Sequence, residues 1–309
     1  MRLCDALALY LEAKEGENLT AKSLRFYRDN VNRFIVWLED SERDCAGVTP
    51  MEVSAHLAAE RRRGMSASSV DASYRALKAF FRWVELHEPD FSSPMGQTAK
   101  GQPLVRRPKR DKKPLDYVTP EEYEAFLRSI DLATWLDVRD YAIASVLYWT
   151  GLRAGELLGL RLRDVDLADG WITVREGKGR VGRVVPTDEG VVSALLSYLN
   201  QRPAWPSDVL WFKAPGTELV VTGVLGTEGL RMMLKRRCAR AGIRFVSPHC
   251  WRRGCGMVLL NNGLDMSAVS NLLGHSSTKV TEEHYARWLQ GGLKEQYSRV
   301  VGGMRRAGM

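Results

Sequence analysis

No apolar run in the 309 residues approaches the roughly 20 that would span a bilayer. The opening MRLCDALALYLEAKEGE is broken by Asp5, Glu12 and Lys14 where a signal peptide would carry its apolar core. These absences predict a globular cytoplasmic chain with no membrane partner. Cysteine is scarce as well. Cys4, Cys45, Cys238, Cys250 and Cys255 are odd in number, lack the CxxC pairs of a zinc site and are too sparse for a disulfide framework, so they read as reduced structural thiols. There is no GxxxxGK[ST] loop to hold a nucleotide triphosphate, no internal repeat and no low-complexity tract.

What remains is enough to fill real cores: 45% of the residues are hydrophobic, and the length suits one large domain or two ordinary ones. Charge is unbalanced, with 45 Lys and Arg against 37 Asp and Glu, net +8, a field that favours an anionic partner such as nucleic acid. Much of the excess lies in one place. Lys100, Arg106, Arg107, Lys109, Arg110, Lys112 and Lys113 crowd a short segment whose one acid is Asp111. A charge run is usually a solvated tether, yet a basic arm at a domain join is also a recurrent footprint of contact with a phosphate backbone.

Residues 1–95 read as an all-α domain. Thr20 can cap a helix in which Leu24, Tyr27, Val31, Phe34, Ile35 and Leu38 recur at steps of three and four. Thr49-Pro50-Met51-Glu52 is a capping-box start for a helix running to Gly64, and another follows Ser66 or Ser68 with Val70, Tyr74, Leu77, Phe81 and Val84 on its inner side. The stretch 92–115 carries four prolines, two glycines and no periodicity, so residues 96–115 read as an extended basic linker. Residues 116–309 form the second domain, with a C-terminal tail. It opens on a further capping box, Thr119-Pro120-Glu121-Glu122, and continues with a long apolar helix, DYAIASVLYWT, that stops at Gly151. β-Branched strands over 171–176 and 182–187 flank GKGRV as a hairpin, and helical patterns resume at 188–200, 225–241, 249–262 and 266–274, with TEEHYARWL as a last short helix. The expected class is mainly α with a small β-hairpin: an all-α domain followed by an α+β domain.

Five short pieces of the second domain hold groups that make sense together around a phosphodiester: TGLRAGEL with Arg153 and Glu156, GKGR with Lys178, PHCWR with His249 and Arg252, LLGHSS with His275, and EEHYAR with Tyr285. Singly, each has a plain structural reading. An arginine after a helix-stopping glycine is most often a cap or ion-pair partner, a turn lysine is usually solvated, and a lone histidine or a tyrosine near tryptophan is usually structural. Their order along the chain weighs against that reading, since three of the five histidines follow residue 248 in compact motifs.

In that order, Arg, Lys, His-x-x-Arg, His and Tyr, the chain resembles the tyrosine recombinases, or phage-integrase family. TGLRAGELLGL, SPHCWRR and LLGHSSTKVTEEHYA carry the likeness, which covers almost the whole chain. Arg253 departs from it, standing where the family usually has histidine, and Cys250 and Trp251 differ from the commonest residues without removing a functional group. The resemblance implies a SAM-like core-binding domain at 1–95 and a catalytic domain from 116. It assigns Tyr285 as nucleophile, Arg153 and Arg252 as the clamp on the scissile phosphate, Lys178 as general acid to the departing 5′ oxygen, His249 as acceptor of the tyrosine proton and His275 as a phosphate hydrogen-bonder. Glu156 would orient the site or form a plain surface ion pair.

The chemistry suits these groups. A phenol with an ordinary pKa near 10 attacks poorly unless its proton is removed and its target neutralised. Two guanidinium forks over the non-bridging oxygens supply the neutralisation, about 3 to 4 kcal/mol each by analogy with an oxyanion donor, and lysine lacks the fork. The arginines thus fill the place that a divalent metal fills in many nucleases, and neither metal nor cofactor is implied. The product would be a 3′-phosphotyrosyl bond, resealed by another strand's 5′ hydroxyl without ATP. The resemblance further implies a C-shaped clamp on double-stranded DNA bearing a specific recombination site. It also implies a homo-tetramer on two sites, or a hetero-tetramer with a related recombinase, and a tail after Tyr285 (Leu289, Leu293, Tyr297, Val300, Val301) that packs in cis or in trans. Because the helices begin near residue 1, the chain is expected to be the Xer-like or transposon-type form without an arm-binding domain. Two other readings share the residues: a type IB topoisomerase-like relaxing enzyme, and a clamp that binds DNA without cutting it.

Overall fold

The computed structural model describes residues 1–40, 42–109, 116–175, 182–214 and 221–274, which divide into two compact units, Met1–Pro114 and Leu115–Met309. Lys178, His275, Tyr285, Arg110, Lys112 and Lys113 lie outside the described residues, as do the expected short helix over TEEHYARWL and the tail.

The first unit contains four α-helices among its described residues: α1 (Leu3–Gly16), α2 (Ala21–Trp37), α3 (Pro50–Arg62) and α4 (Ala67–His87). The Thr20 hydroxyl accepts from the Ser23 N–H, the Thr49 hydroxyl from Glu52 and the Ser66 hydroxyl from Ser69, so each helix starts where a short polar side chain can take up an orphan amide. α4 packs against the other three, and Val31, Phe34, Leu77, Phe80, Phe81 and Val84 meet there. The stretch expected to be an extended linker differs from that expectation over 96–109. Gln97 bridges to Pro103, Leu104 donates to the Gly96 carbonyl at 3.0 Å, and Met95 and Val105 are buried in the unit's core. Apolar burial holds this strap on α4, and the Arg107 guanidinium locks it by donating to the fully buried Asp71 at 2.6 Å. A lone periodicity search cannot see such packing, because one methionine and one valine carry it.

The second unit is built round α6 (Trp135–Thr150), which is buried nearly all the way round and packs against α8 (Glu189–Gln201) and α10 (Pro248–Asn261). α5 (Pro120–Arg128) lays Tyr123 flat on Tyr148 of α6, ring centroids 3.9 Å apart, and Trp251 of α10 meets Phe126 edge-on at 4.9 Å. A Thr134–Asp137 capping box starts α6 earlier than the apolar run alone suggests. The expected hairpin strands are present as β2 (Trp171–Val174) and β3 (Arg183–Pro186), antiparallel with Val174 opposite Arg183, and β1 (Val165–Asp166) extends the sheet on the β2 side. A second pair, β4 (Phe212–Lys213) with β5 (Gly223–Val224), has no counterpart in the sequence reading, since two-residue strands carry no alternation to detect. α7 (Ala154–Gly159), α9 (Thr227–Arg240) and α11 (Met266–Leu273) complete the described helices. No helix among the described residues is long and apolar enough to cross a membrane.

Candidate functional site

Two left-handed glycines shape the site. Gly151 ends α6 at φ 60°, and Gly274 ends α11 at φ 63°. A Cβ on Gly151 would stand 2.4 Å from Leu273 Cδ2 and 3.1 Å from Cys255 Sγ, so the turn can close on α10 and α11 only without a side chain. The chain then leaves Gly151 directly into Arg153, which precedes the short α7. Glu156, on the first turn of α7, reaches back and accepts the Arg153 backbone N–H at 2.8 Å and its Nη1 at 2.6 Å.

Three guanidinium groups from three separate elements meet the last carbonyls of α11. Arg183 at the start of β3 donates through Nε to Leu272 O at 2.8 Å. Arg252 on α10 donates to Leu273 O, and through Nη1 to Gly151 O at 2.6 Å. Arg153 donates through Nη2 to Gly274 O at 2.7 Å. A helix C-terminus leaves its final carbonyls without intrahelical partners and carries the negative end of the helix dipole, so it draws cations. The cluster is therefore self-consistent: the carbonyls at the end of α11 orient the arginines, and the arginines fix α11 at the residue before His275.

Glu156 is the anionic hub. Besides its two bonds from Arg153, it receives Arg183 Nη1 on Oε1 at 3.1 Å and Arg183 Nη2 on Oε2 at 2.8 Å. Burial by itself would raise its carboxyl. The hydrogen bonds from Arg183 and Arg153, with the positive charge they bring, outweigh that and lower it to about 2. At 11% side-chain exposure Glu156 is no loose surface partner.

The expected site residues thus divide. Arg153, Glu156 and Arg252 are brought together, with Arg252 buried and Arg153 partly exposed. His249 is exposed on the first turn of α10, one turn before Arg252. Arg253 points elsewhere, donating to the Asp116 carbonyl at 3.2 Å. Cys255 is buried behind Gly151, and burial pushes its thiol up to about 12, which leaves it protonated and inert at neutral pH. In the first unit, Lys100, Arg106, Arg107 and Lys109 are all exposed, and Arg107 alone of the four is held by a hydrogen bond to Asp71. No group of three or more His, Cys, Asp or Glu among the described residues is arranged to hold a metal ion.

Arg183 is the residue that the sequence reading passes over. The signal was available, since strand alternation puts it on the same face as the buried Val185, and an inward-facing arginine needs an anionic partner.

Residues 116–290 match the phage integrase family, and residues 7–87 match the phage integrase N-terminal SAM-like domain. Tyrosine recombinase XerC of Oceanobacillus iheyensis is 30% identical over 301 residues, covering 95% of this chain and 93% of that protein. Tyrosine recombinase XerA of Thermococcus kodakarensis is 31% identical, covering 87% and 88%. Among solved structures, XerA recombinase aligns with a TM-score of 0.53 at 27% identity over 96% of this chain and 98% of that one. The Tn1549 transposon integrase in complex with transposon right-end DNA shares the fold, with a TM-score of 0.77 at 19% identity over 97% and 100%. With both units matched and the likeness running nearly end to end, the chain belongs to the phage integrase family, the tyrosine recombinases that exchange DNA strands at specific sites.

Proposed function

We propose that this chain cuts and rejoins double-stranded DNA through Tyr285, with Arg153 and Arg252 neutralising the scissile phosphate. The observation that carries the reading is the meeting of these two arginines, distant in sequence, on the successive carbonyls of Leu273 and Gly274. A guanidinium is a planar fork of N–H donors whose geometry suits two phosphate oxygens. Anchored on carbonyls, both groups are oriented before substrate arrives, so little reorganisation accompanies the build-up of negative charge in the transition state.

In the reaction, the Tyr285 oxygen attacks phosphorus as His249 takes its proton, and the bond from phosphorus to the 5′ oxygen breaks. Lys178 gives that oxygen a proton. The 3′ end is left joined to tyrosine, and attack by a 5′ hydroxyl from a second duplex reverses the steps. His275 hydrogen-bonds the phosphate. The exposed Lys100, Arg106 and Lys109 of the strap, with Arg110, Lys112 and Lys113 beyond it, contact the DNA backbone. Exchange between two sites calls for four active centres, and we assign the assembly as a homo-tetramer, or a hetero-tetramer with a related recombinase. The whole-length likeness to proteins named XerC and XerA supports exchange at a specific site over topoisomerase-like relaxation or binding alone.

The test is covalent trapping. A duplex recovered from a random library by binding to the unaltered protein is nicked beside the cut so that the released fragment diffuses away. The unaltered chain is expected to accumulate a protein-DNA adduct and Tyr285→Phe none. Equal adduct in the two proteins, or no adduct in either, overturns the reading.

A further inference from the structure

We infer that Arg183 is a positioning residue for strand cleavage, acting on Arg153 through Glu156. The inference rests on the reading just given, in which Arg153 clamps the phosphate. Its basis is the accounting of one partly buried carboxylate. Glu156 offers about four lone-pair sites, and four N–H donors fill them: the Arg153 backbone, Arg153 Nη1, and Arg183 Nη1 and Nη2. The Arg183 pair arrives side by side on the two oxygens, which fixes the plane of the carboxylate and hence the line along which Arg153 Nη1 is held. Without it, Glu156 could turn about its last side-chain bond and keep Arg153 in more than one orientation.

Arg183 is itself held from three sides. Its backbone lies in β3 opposite Val174, its Nε is spent on Leu272 O, and its side chain is 12% exposed. It also reaches the α11 end that carries the other contact of Arg153: a Cβ on Gly274 would lie only 2.9 Å from Arg183 Nη1. One side chain therefore bears on two partners of Arg153, the Glu156 carboxylate and the Gly274 turn. It does so from the strand that follows the Lys178 segment. A role confined to stability would be met by any well-packed neutral group. Bidentate contact with a carboxylate that also holds a phosphate-binding arginine is a device for orientation.

The experiment is a double-mutant cycle on the full chain with Arg183→Lys, Glu156→Gln and both together, using the nicked duplex described above. It measures the single-turnover rate of adduct formation at saturating DNA, the DNA concentration for half-saturation, and the thermal midpoint. Lysine keeps the charge and loses the fork. Arg183→Lys is expected to slow adduct formation by about 10- to 100-fold, the scale of a misplaced catalytic group, with half-saturation changed less than about threefold and only a small shift in thermal midpoint. In the Glu156→Gln background the same change should slow the reaction no further, because its effect passes through that carboxylate. An unchanged rate for Arg183→Lys overturns the inference, as does an equal fold-loss with and without Glu156. Arg183→Met, judged per folded molecule, is the second arm: it should be slower than lysine, and a rate equal to the unaltered protein's also overturns the proposal. Failure of the unaltered chain to form an adduct instead condemns the recombinase mechanism, so the two failures are distinguishable.

Discussion

His56 is buried and Glu156 partly so, and the surroundings of these two titratable side chains have opposite consequences in acid. His56 on α3 is 1% exposed, edge-on to Phe34 and Trp37, and neither ring nitrogen has a hydrogen-bond partner among the described residues. Burial lowers its pKa to about 4. Glu60 pulls it up, but Arg33 and Arg63 push it down again. A histidine whose folded value is depressed stays neutral in the fold and takes up a proton in the unfolded chain first. Stability is therefore full above the ordinary value near 6.5 and falls as pH drops toward 4. Thermal unfolding of the unaltered chain and of His56→Leu between about pH 7.5 and pH 4.5 checks this. The leucine variant should match or exceed the parent at neutral pH, since two buried ring nitrogens without hydrogen bonds are removed. It should lose less stability on acidification, and parallel curves would mean that His56 is not the group responsible. Glu156 behaves in the reverse way. Its folded value near 2 lies below the ordinary one, so its contribution is present above about pH 4.5 and disappears only in strong acid, and the arginine hub stays assembled at any pH where DNA is intact.

At the scale of elements, the turns after α6 and α11 are the same device used with different neighbours. Gly151 and Gly274 share a left-handed backbone, so alanine at either costs about 1 to 2 kcal/mol for that conformation. At Gly151 the added methyl would also meet Leu273 and Cys255 in a packed core, adding about 1 to 3 kcal/mol of overpacking. At Gly274 it meets the movable end of Arg183. Urea unfolding should therefore show Gly151→Ala as the more destabilised of the two. Adduct formation by Gly274→Ala should be slowed out of proportion to its stability, because the displaced group is the one that holds Glu156. Equal losses of stability with equal rates would contradict this assignment. What the sequence could show follows from how local each cause is. The capping boxes at Thr49 and Thr119, the stop at Gly151 and the strands either side of GKGRV are settled within a few residues, and the helices appear where those signals lie. Arg153, Glu156 and Arg252 were legible as residue types in order, but the anchorage of the two arginines on the end of α11 was not, because it depends on contacts across the chain. The packed strap was missed for the same reason, since one buried Val105 leaves no period to read, whereas Arg183 had a local sign in its place on the inward face of β3 and only its partners lay across the chain.

For the whole molecule, the net charge of +8 and its concentration near the strap make DNA affinity a matter of salt. Each phosphate neutralised by the protein releases counterions, so the logarithm of the binding constant falls linearly with that of salt concentration, by about 0.9 per contact. The structure divides neighbouring arginines that the sequence treats alike. Arg106 is exposed, and Lys109 likewise, so their charges face solvent. Arg107 spends its charge on Asp71, which is fully buried, accepts two bonds from Arg107 and takes another from Arg75 Nε at 3.2 Å. Removing Arg106 and Lys109 together should therefore lower the magnitude of the salt slope by up to about 2, measured by fluorescence anisotropy on one duplex between about 50 and 200 mM salt, with the thermal midpoint unchanged. Arg107→Ala should leave the slope within about 0.5 of the parent's, less than one lost contact, and lower the midpoint instead. It strips a buried carboxylate of its main partner and loosens the strap from α4. If Arg107→Ala takes a full contact from the slope and leaves stability alone, the strap must release Asp71 when DNA binds, and the clasp seen here would be the resting arrangement of a phosphate ligand.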